Sequence, residues 1–302
     1  MTIKSLTIFL ALASASYPQG ISWSSFEWSG GSIGDKAFDR ATLMVPVRLE
    51  HKPDVYWMQL DTGCNVTVVY QIPFDQLKYP AQRIEGRDDF IALSGTIGNC
   101  PFDSFPVFVW EDFGDSLGAM KERALIGTVG QDMLAGKVLV LDYPNRRFCL
   151  TDSLDGALRD LVSKASFVDL QRRNDKLFVP VRIGDMYSEN FFLDTGASML
   201  PITTTKEIWR RLTGLQGTEK SNIRIKVSSW GKEVTLVGAP VKGTLTIGTL
   251  QVPNAIAYFE STGLVETDGL LGNALFYDEY TIIIDLRENR FGLLRNQLDG
   301  AH

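Results

Sequence analysis

Histidine is nearly missing from this chain: two residues, His51 and His302, in a length of 302. Chemistry that leans on imidazole is therefore poorly supplied. A thiol dyad of Cys64 and His51 has no third orienting group in its favour, and a zinc site lacks the ligands it needs. Cysteine is almost as sparse. Cys64, Cys100 and Cys149 are three in number, with no metal-type spacing. In an exported chain Cys100 and Cys149 are the two that could pair, although the odd count argues against a bridge. Positive charge is not in excess either: 30 basic residues face 36 acidic ones, for a net charge of −6. Such a balance leaves no footprint for neutralising the phosphates of a nucleic acid or for binding an anionic membrane. Beyond the N-terminus no segment is apolar enough to cross a bilayer. No metal and no cofactor is expected.

What remains is an ordinary globular composition, 44% hydrophobic and 22% charged, in a chain long enough for two lobes with a core each. The N-terminus reads Lys4, then an apolar stretch from Leu6 to Ala13, then Ala13-Ser14-Ala15 as a small-x-small cleavage site. This pattern predicts a signal peptide over residues 1–15 and hence export, periplasmic or secreted. Only about 25 residues then precede the first repeated motif, which leaves little room for a long inhibitory propeptide.

The stretch YWMQLDTGCN, Tyr56 to Asn65, ends an apolar run in Asp-Thr-Gly. A single Asp-x-Gly is either turn chemistry or a placed carboxylate, and one copy does not decide between them. The chain, however, repeats itself. LMVPVRL at Leu43 to Leu49 returns as LFVPVRI at Leu177 to Ile183, and MQLDTGC at Met58 to Cys64 returns as FFLDTGA at Phe191 to Ala197. Later, Gly127 and Gly130 answer Gly269 and Gly272, and LDYPNRRF from Leu141 answers IDLRENRF from Ile284. The glycines read as backbone devices, giving positive φ or close approach. Each tail reads as a hairpin held by its turn and by an ion pair, Asp142 with Arg147 and Asp285 with Arg290.

Locally the pattern is mostly β, with short runs rich in Val, Ile, Phe and Thr between Gly, Pro and Asn. KVLVLDY and YTIIIDL read as strands. Helices are few: TTKEIWRRLTG, with Thr204 as N-cap, Glu207 three residues on and Gly214 as the stop, and a shorter one from Pro73 to Lys78. The stretch from Thr151 to Ser166, polar with a few leucines at helical spacing, reads as the connection, placing the boundary near Ala165 between an N-terminal lobe, 16–165, and a C-terminal lobe, 166–302.

The pair LDTGC and LDTGA, each followed by an apolar-glycine motif (Val129-Gly130 and Leu270-Leu271-Gly272), resembles the aspartic proteases of the pepsin and retroviral protease group. The resemblance covers nearly the whole chain after the signal segment. It implies an all-β, bilobal, pepsin-like fold built from two compact retropepsin-like β-barrel lobes. It also implies an active site in the cleft between them and an aspartic endopeptidase activity on peptides or unfolded proteins. Asp61 and Asp194 become the catalytic pair, Thr62 and Thr195 bond across the lobes, and Gly63 and Gly196 let the chain turn tightly beneath the carboxylates. Since both aspartates belong to one chain, a monomer is expected. A compact exported two-lobed form with few cysteines leans towards a bacterium.

Where the family usually has a serine or threonine after Asp-Thr-Gly, this chain has Cys64 and Ala197. Fewer hydrogen bonds to the charged carboxylates should raise their pKa values and move the optimum to less acidic pH than pepsin's. On base rates Cys64 itself reads as a small buried hydrophobe. The family's flap signature is missing, and RIEGRDDFIAL, Arg83 to Leu93, is the expected flap hairpin, with SSWGKEV, Ser228 to Val234, as its counterpart. The other reading of the chain is a non-proteolytic binding or inhibitory protein on the same scaffold, since a fold does not guarantee a function.

Overall fold

The structure, a computed structural model, describes residues 20–33, 36–118, 123–219, 223–229, 232–260 and 267–296, without the side-chain burial of 33, 227–229 and 232–234. The expected signal segment, 1–15, and Trp230 lie outside the described residues.

The fold is all-β and bilobal, built from three sheets. An eight-stranded sheet holds the strands between Glu27 and Val129, and a ten-stranded sheet holds those between Gln171 and Gly272. The third sheet, of six strands, draws on both halves. At its centre Val138–Asp142 pairs antiparallel with Tyr280–Asp285, with Val140 opposite Ile283. Both of these strands are buried throughout, which is why they read as continuous apolar runs rather than as an alternation. One face of this sheet meets the main core. The other is covered by Val138, Val140, Cys149, Leu158, Val162 and Ile283 packed together.

Leu158 and Val162 of that cluster lie on the helix Gly156–Val162, within the stretch read as the connection. Its helically spaced apolar residues give that helix a buried face. The tails form the expected hairpins, and in each the carboxylate is the buried partner. Asp142 takes a bond from Arg147 at 2.7 Å, and Asp285 one from Arg290 at 2.9 Å.

In each lobe one strand threads between the two that flank Asp-Thr-Gly. Leu125–Val129 runs parallel to Tyr56–Leu60 and antiparallel to Val68–Tyr70. Gly269–Gly272 stands likewise between Met186–Asp194 and Ile202–Thr204. The repeated glycines serve close approach, not positive φ. A Cβ on Gly130 would lie 2.5 Å from the Val66 carbonyl, and one on Gly272 would lie 2.1 Å from that of Leu200.

Two helix boundaries differ from the sequence reading. The helix expected from Pro73 spans Gln71–Leu77, because proline is tolerated in a first turn and does not have to open it. The other spans Lys206–Thr213 and is capped by Thr205, whose hydroxyl accepts from the Ile208 amide at 3.3 Å, not by Thr204. Thr204 is the last residue of a strand, and its hydroxyl donates to the Asp268 carbonyl. Gly214 ends that helix in the left-handed region, φ 69°, as expected. Its core anchor is Trp209, fully buried, with the indole N–H donating to the Ala257 carbonyl at 2.8 Å.

Both expected flap segments are hairpins. Gln82–Ile84 pairs with Arg87–Ile97 around an exposed Glu85-Gly86 tip. Ile223–Ser229 pairs with Lys232–Pro240, and its tip lies outside the described residues.

Candidate active site

Each Asp-Thr-Gly lies where an inner strand of its lobe ends, and the two loops meet. Thr62 and Thr195, both fully buried, make a reciprocal set of four hydrogen bonds. The Thr62 amide donates to the Thr195 hydroxyl at 2.9 Å, and the Thr195 amide donates to the Thr62 hydroxyl at 3.0 Å. Each hydroxyl in turn donates across the lobes, Thr62 to the Leu193 carbonyl at 2.9 Å and Thr195 to the Leu60 carbonyl at 3.0 Å. Both hydroxyls therefore donate and accept, and two backbone amides that the turn would otherwise leave buried and unpaired are satisfied.

This knot brings Asp61 and Asp194 together, close enough for the charge of Asp61 to act on Asp194. Asp61 accepts from the Gly63 amide at 2.8 Å. Asp194 accepts from the Gly196 and Ala197 amides at 2.9 and 3.1 Å. The two glycines sit in the expected tight turns, closed by the Cys64 amide on the Asp61 carbonyl at 3.3 Å and the Ala197 amide on the Asp194 carbonyl at 3.2 Å; neither has a positive φ, and what requires glycine there is space. A Cβ on Gly63 would stand 2.8 Å from the Asp194 carboxyl carbon, and one on Gly196 would stand 2.4 Å from that of Asp61. Each glycine lies against the opposite carboxyl.

Cys64 and Ala197 leave the carboxyls without a side-chain hydroxyl. The Cys64 thiol turns away and donates to the Val66 carbonyl at 3.0 Å. Burial pushes its pKa up, which keeps it a neutral thiol. His51 sits in an exposed turn, so no dyad with Cys64 forms. All three cysteines are free, and Cys100 and Cys149 are buried. Among the described residues no group of His, Cys, Asp and Glu could hold a metal ion, and no helix is long and apolar enough to cross a membrane.

Burial raises both carboxyls above the ordinary range, and at Asp194 the neighbouring Asp61 charge adds to the rise, to about 7. A folded-state pKa above the unfolded value of about 3.9 makes the protonated form the stabilised one. That stability is fully present below the unfolded pKa and is lost as pH rises through the folded one. Asp194→Asn, which keeps the shape without the charge, should therefore raise the thermal midpoint relative to wild type at pH 8. The gap should close towards pH 4, where both forms are neutral at this position. Thermal unfolding at the two pH values checks this, and an equal gap at both would contradict it.

Sequence reasoning missed two amide side chains beneath the loops. Gln131, fully buried, donates from Nε2 to the Thr62 carbonyl at 2.7 Å and to the Asp175 carbonyl at 2.9 Å. Asn273, 1% exposed, donates from Nδ2 to the Thr195 carbonyl at 2.6 Å and to the Ser198 hydroxyl at 2.8 Å, and accepts at Oδ1 from the Tyr143 hydroxyl at 2.5 Å. The signal was in the repeat: each follows its lobe's threading glycine, Gly130-Gln131 and Gly272-Asn273.

No family model matches the sequence, and no curated protein does. Among solved structures, the chain is similar to conglutin gamma, a basic 7S globulin from lupine seeds, at 9% identity and a TM-score of 0.49, over 91% of this chain and 94% of that one. It is similar to basic 7S globulin from soybean at 10% identity and a TM-score of 0.47, over 93% and 99%. The third is an aspartic proteinase from Irpex lacteus, at 12% identity and a TM-score of 0.48, over 86% and 96%. The leaning towards a bacterial origin finds no support in these comparisons. One fold likeness is named a proteinase and two are named seed globulins, and an activity for this chain has to be argued from its own site.

Proposed function

We propose that the chain is an aspartic-type endopeptidase acting on peptides or unfolded proteins, with Asp61 and Asp194 as its acid and base. The observation that carries this reading is the meeting of the two carboxyls over the reciprocal Thr62 and Thr195 knot, each lying against the glycine of the other loop. Two carboxyls this close hold one proton between them across the working range. The ionised member takes a proton from a bound water as its oxygen attacks the peptide carbonyl carbon. The protonated member gives its proton to the carbonyl oxygen, so a neutral tetrahedral diol forms. Proton transfer to the amide nitrogen then lets the C–N bond break. No metal, histidine or covalent intermediate takes part.

An aromatic shelf beside the first loop supports a taste for large apolar side chains. Tyr70, whose hydroxyl pKa is raised chiefly by burial and also by the Asp61 charge, packs against Phe113 at 4.8 Å between ring centres. Phe113 in turn stacks on Trp110 at 4.4 Å. Trp110 and Phe113 remain 38% and 42% exposed, an apolar surface left open on the far side of Tyr70. Removal of residues 1–15 on export, and action as a monomer, belong to the same proposal.

Incubating the purified mature protein with a reduced, alkylated, unfolded polypeptide across pH 3 to 8 tests it. New peptide termini within that range are expected. Retention of the polypeptide without new termini would replace the peptidase by a binding protein on the same scaffold.

A further inference from the structure

We propose that Gln131 and Asn273 are paired positioning residues that aim the backbone donors of the two catalytic carboxyls, each acting through a single peptide unit and each braced by the opposite lobe. The inference rests on the peptidase reading for its consequence, though its geometry stands alone.

In a trans peptide the C=O and N–H point in opposite directions from one rigid plane. The Thr62–Gly63 peptide presents its carbonyl to Gln131 Nε2 at 2.7 Å, and its amide reaches Asp61 Oδ1 at 2.8 Å. The Thr195–Gly196 peptide presents its carbonyl to Asn273 Nδ2 at 2.6 Å, and its amide reaches Asp194 Oδ1 at 2.9 Å. Fixing the carbonyl fixes the plane, and so the direction of the donor on its other edge. A bond accepted at the oxygen also polarises the unit and strengthens the bond given by its N–H.

The bracing crosses the molecule. The second amide hydrogen of Gln131 goes to the carbonyl of Asp175, in a turn of the C-terminal lobe. Asn273 is held from the N-terminal half by the Tyr143 hydroxyl. The orientation of Gln131 is set by these contacts, since a flipped amide would set its oxygen against two carbonyl oxygens. Its Oε1 is buried without a partner, a cost of about 1–3 kcal/mol for a polar group. An apolar side chain would avoid that cost, so the donor end is what the position retains. With Cys64 and Ala197 in place of hydroxyl residues, the backbone amides are the carboxyls' support from their own loops, and their aim matters more.

The test reads the carboxyls directly and needs no substrate. Carbon-13 NMR of labelled aspartate carboxyls is compared between wild type, Gln131→Met and Asn273→Leu, which keep volume and remove the donor. Cys64 and Tyr70, the titratable neighbours on which the pair's charge acts, are unchanged in both. A weakened N–H bond destabilises the ionised form, so the pair's first titration should move upward by about half a pH unit or more, a roughly threefold change in proton affinity. Unmoved midpoints in folded variants would overturn the proposal. Should neither variant fold, amide exchange at Gly63 and Gly196 in the wild type decides: strong protection is expected, and exchange at the rate of an open loop would overturn it. A shift in a protein that cleaves nothing keeps the brace and removes the peptidase. Cleavage without a shift removes the brace alone.

Discussion

Asp61→Asn and Asp194→Asn should each lower kcat/KM on an unfolded substrate by about 10³- to 10⁴-fold or more, the range lost when a positioned acid–base group is removed. Asparagine keeps the side-chain shape and can still accept from the Gly63 or Gly196 amide. The loss therefore reports the missing proton transfer rather than a collapsed loop. The double variant should fall no further than either single one, because the two carboxyls work as a unit with one proton between them. Wild-type rates in either single variant would take that residue out of the mechanism. The expected stability gain of Asp194→Asn at pH 8 supplies the matching control: a protein that unfolds later and cleaves less has lost chemistry, not structure.

The second large effect concerns the knot beneath the carboxyls. Thr62→Val and Thr195→Val keep the branched shape while removing one hydroxyl. Each substitution deletes two hydrogen bonds and orphans one buried amide and one buried carbonyl of the other lobe. Leaving such groups unsatisfied costs about 1–3 kcal/mol apiece, so a loss of about 2–5 kcal/mol per substitution is expected. In a chain of this size that is a fall of roughly 5–15 °C in Tm. The two losses should add less than fully, since all four bonds form one network. Thr→Ser at either position keeps the hydroxyl and should recover most of the midpoint. Thermal unfolding of the four variants decides, and a double valine variant as stable as wild type would mean that the knot does not hold the lobes' loops together.

Much of this arrangement was legible because the chain repeats. In-register copies of Leu-Asp-Thr-Gly, each answered by a later glycine, are a long-range statement that local propensity does not make. The all-β class, the tail hairpins with Asp142 and Asp285, and the buried strands Val138–Asp142 and Tyr280–Asp285 followed from period and turn chemistry. What was misread depended on tertiary context. Thr204 and Thr205 are equivalent as cap candidates by type, and strand pairing of Thr204 with Phe259 leaves the capping to Thr205. The leucines of 151–166 show their helical spacing in the sequence but not what they cover, because that sheet face is made of strands from both halves. Gly63 and Gly196 stand in the turns expected of them, but the atoms that exclude a side chain there belong to the opposite lobe, which no local pattern shows. Gln131 and Asn273 were passed over for a similar reason. A Gln in one copy and an Asn in the other hide the repeat at the level of letters, although each delivers an amide to the threonine carbonyl of its own Asp-Thr-Gly.

The pH dependence of kcat/KM on an unfolded substrate tests the central claim, a shared proton between two half-buried carboxyls, most directly. Activity should rise as the pair loses its first proton, fall as it loses the second, and peak at less acidic pH than pepsin's, because burial raises both carboxyls. A peak near pH 2 to 3, around pepsin's first titration, or a rate that climbs steadily into the alkaline range, would contradict it.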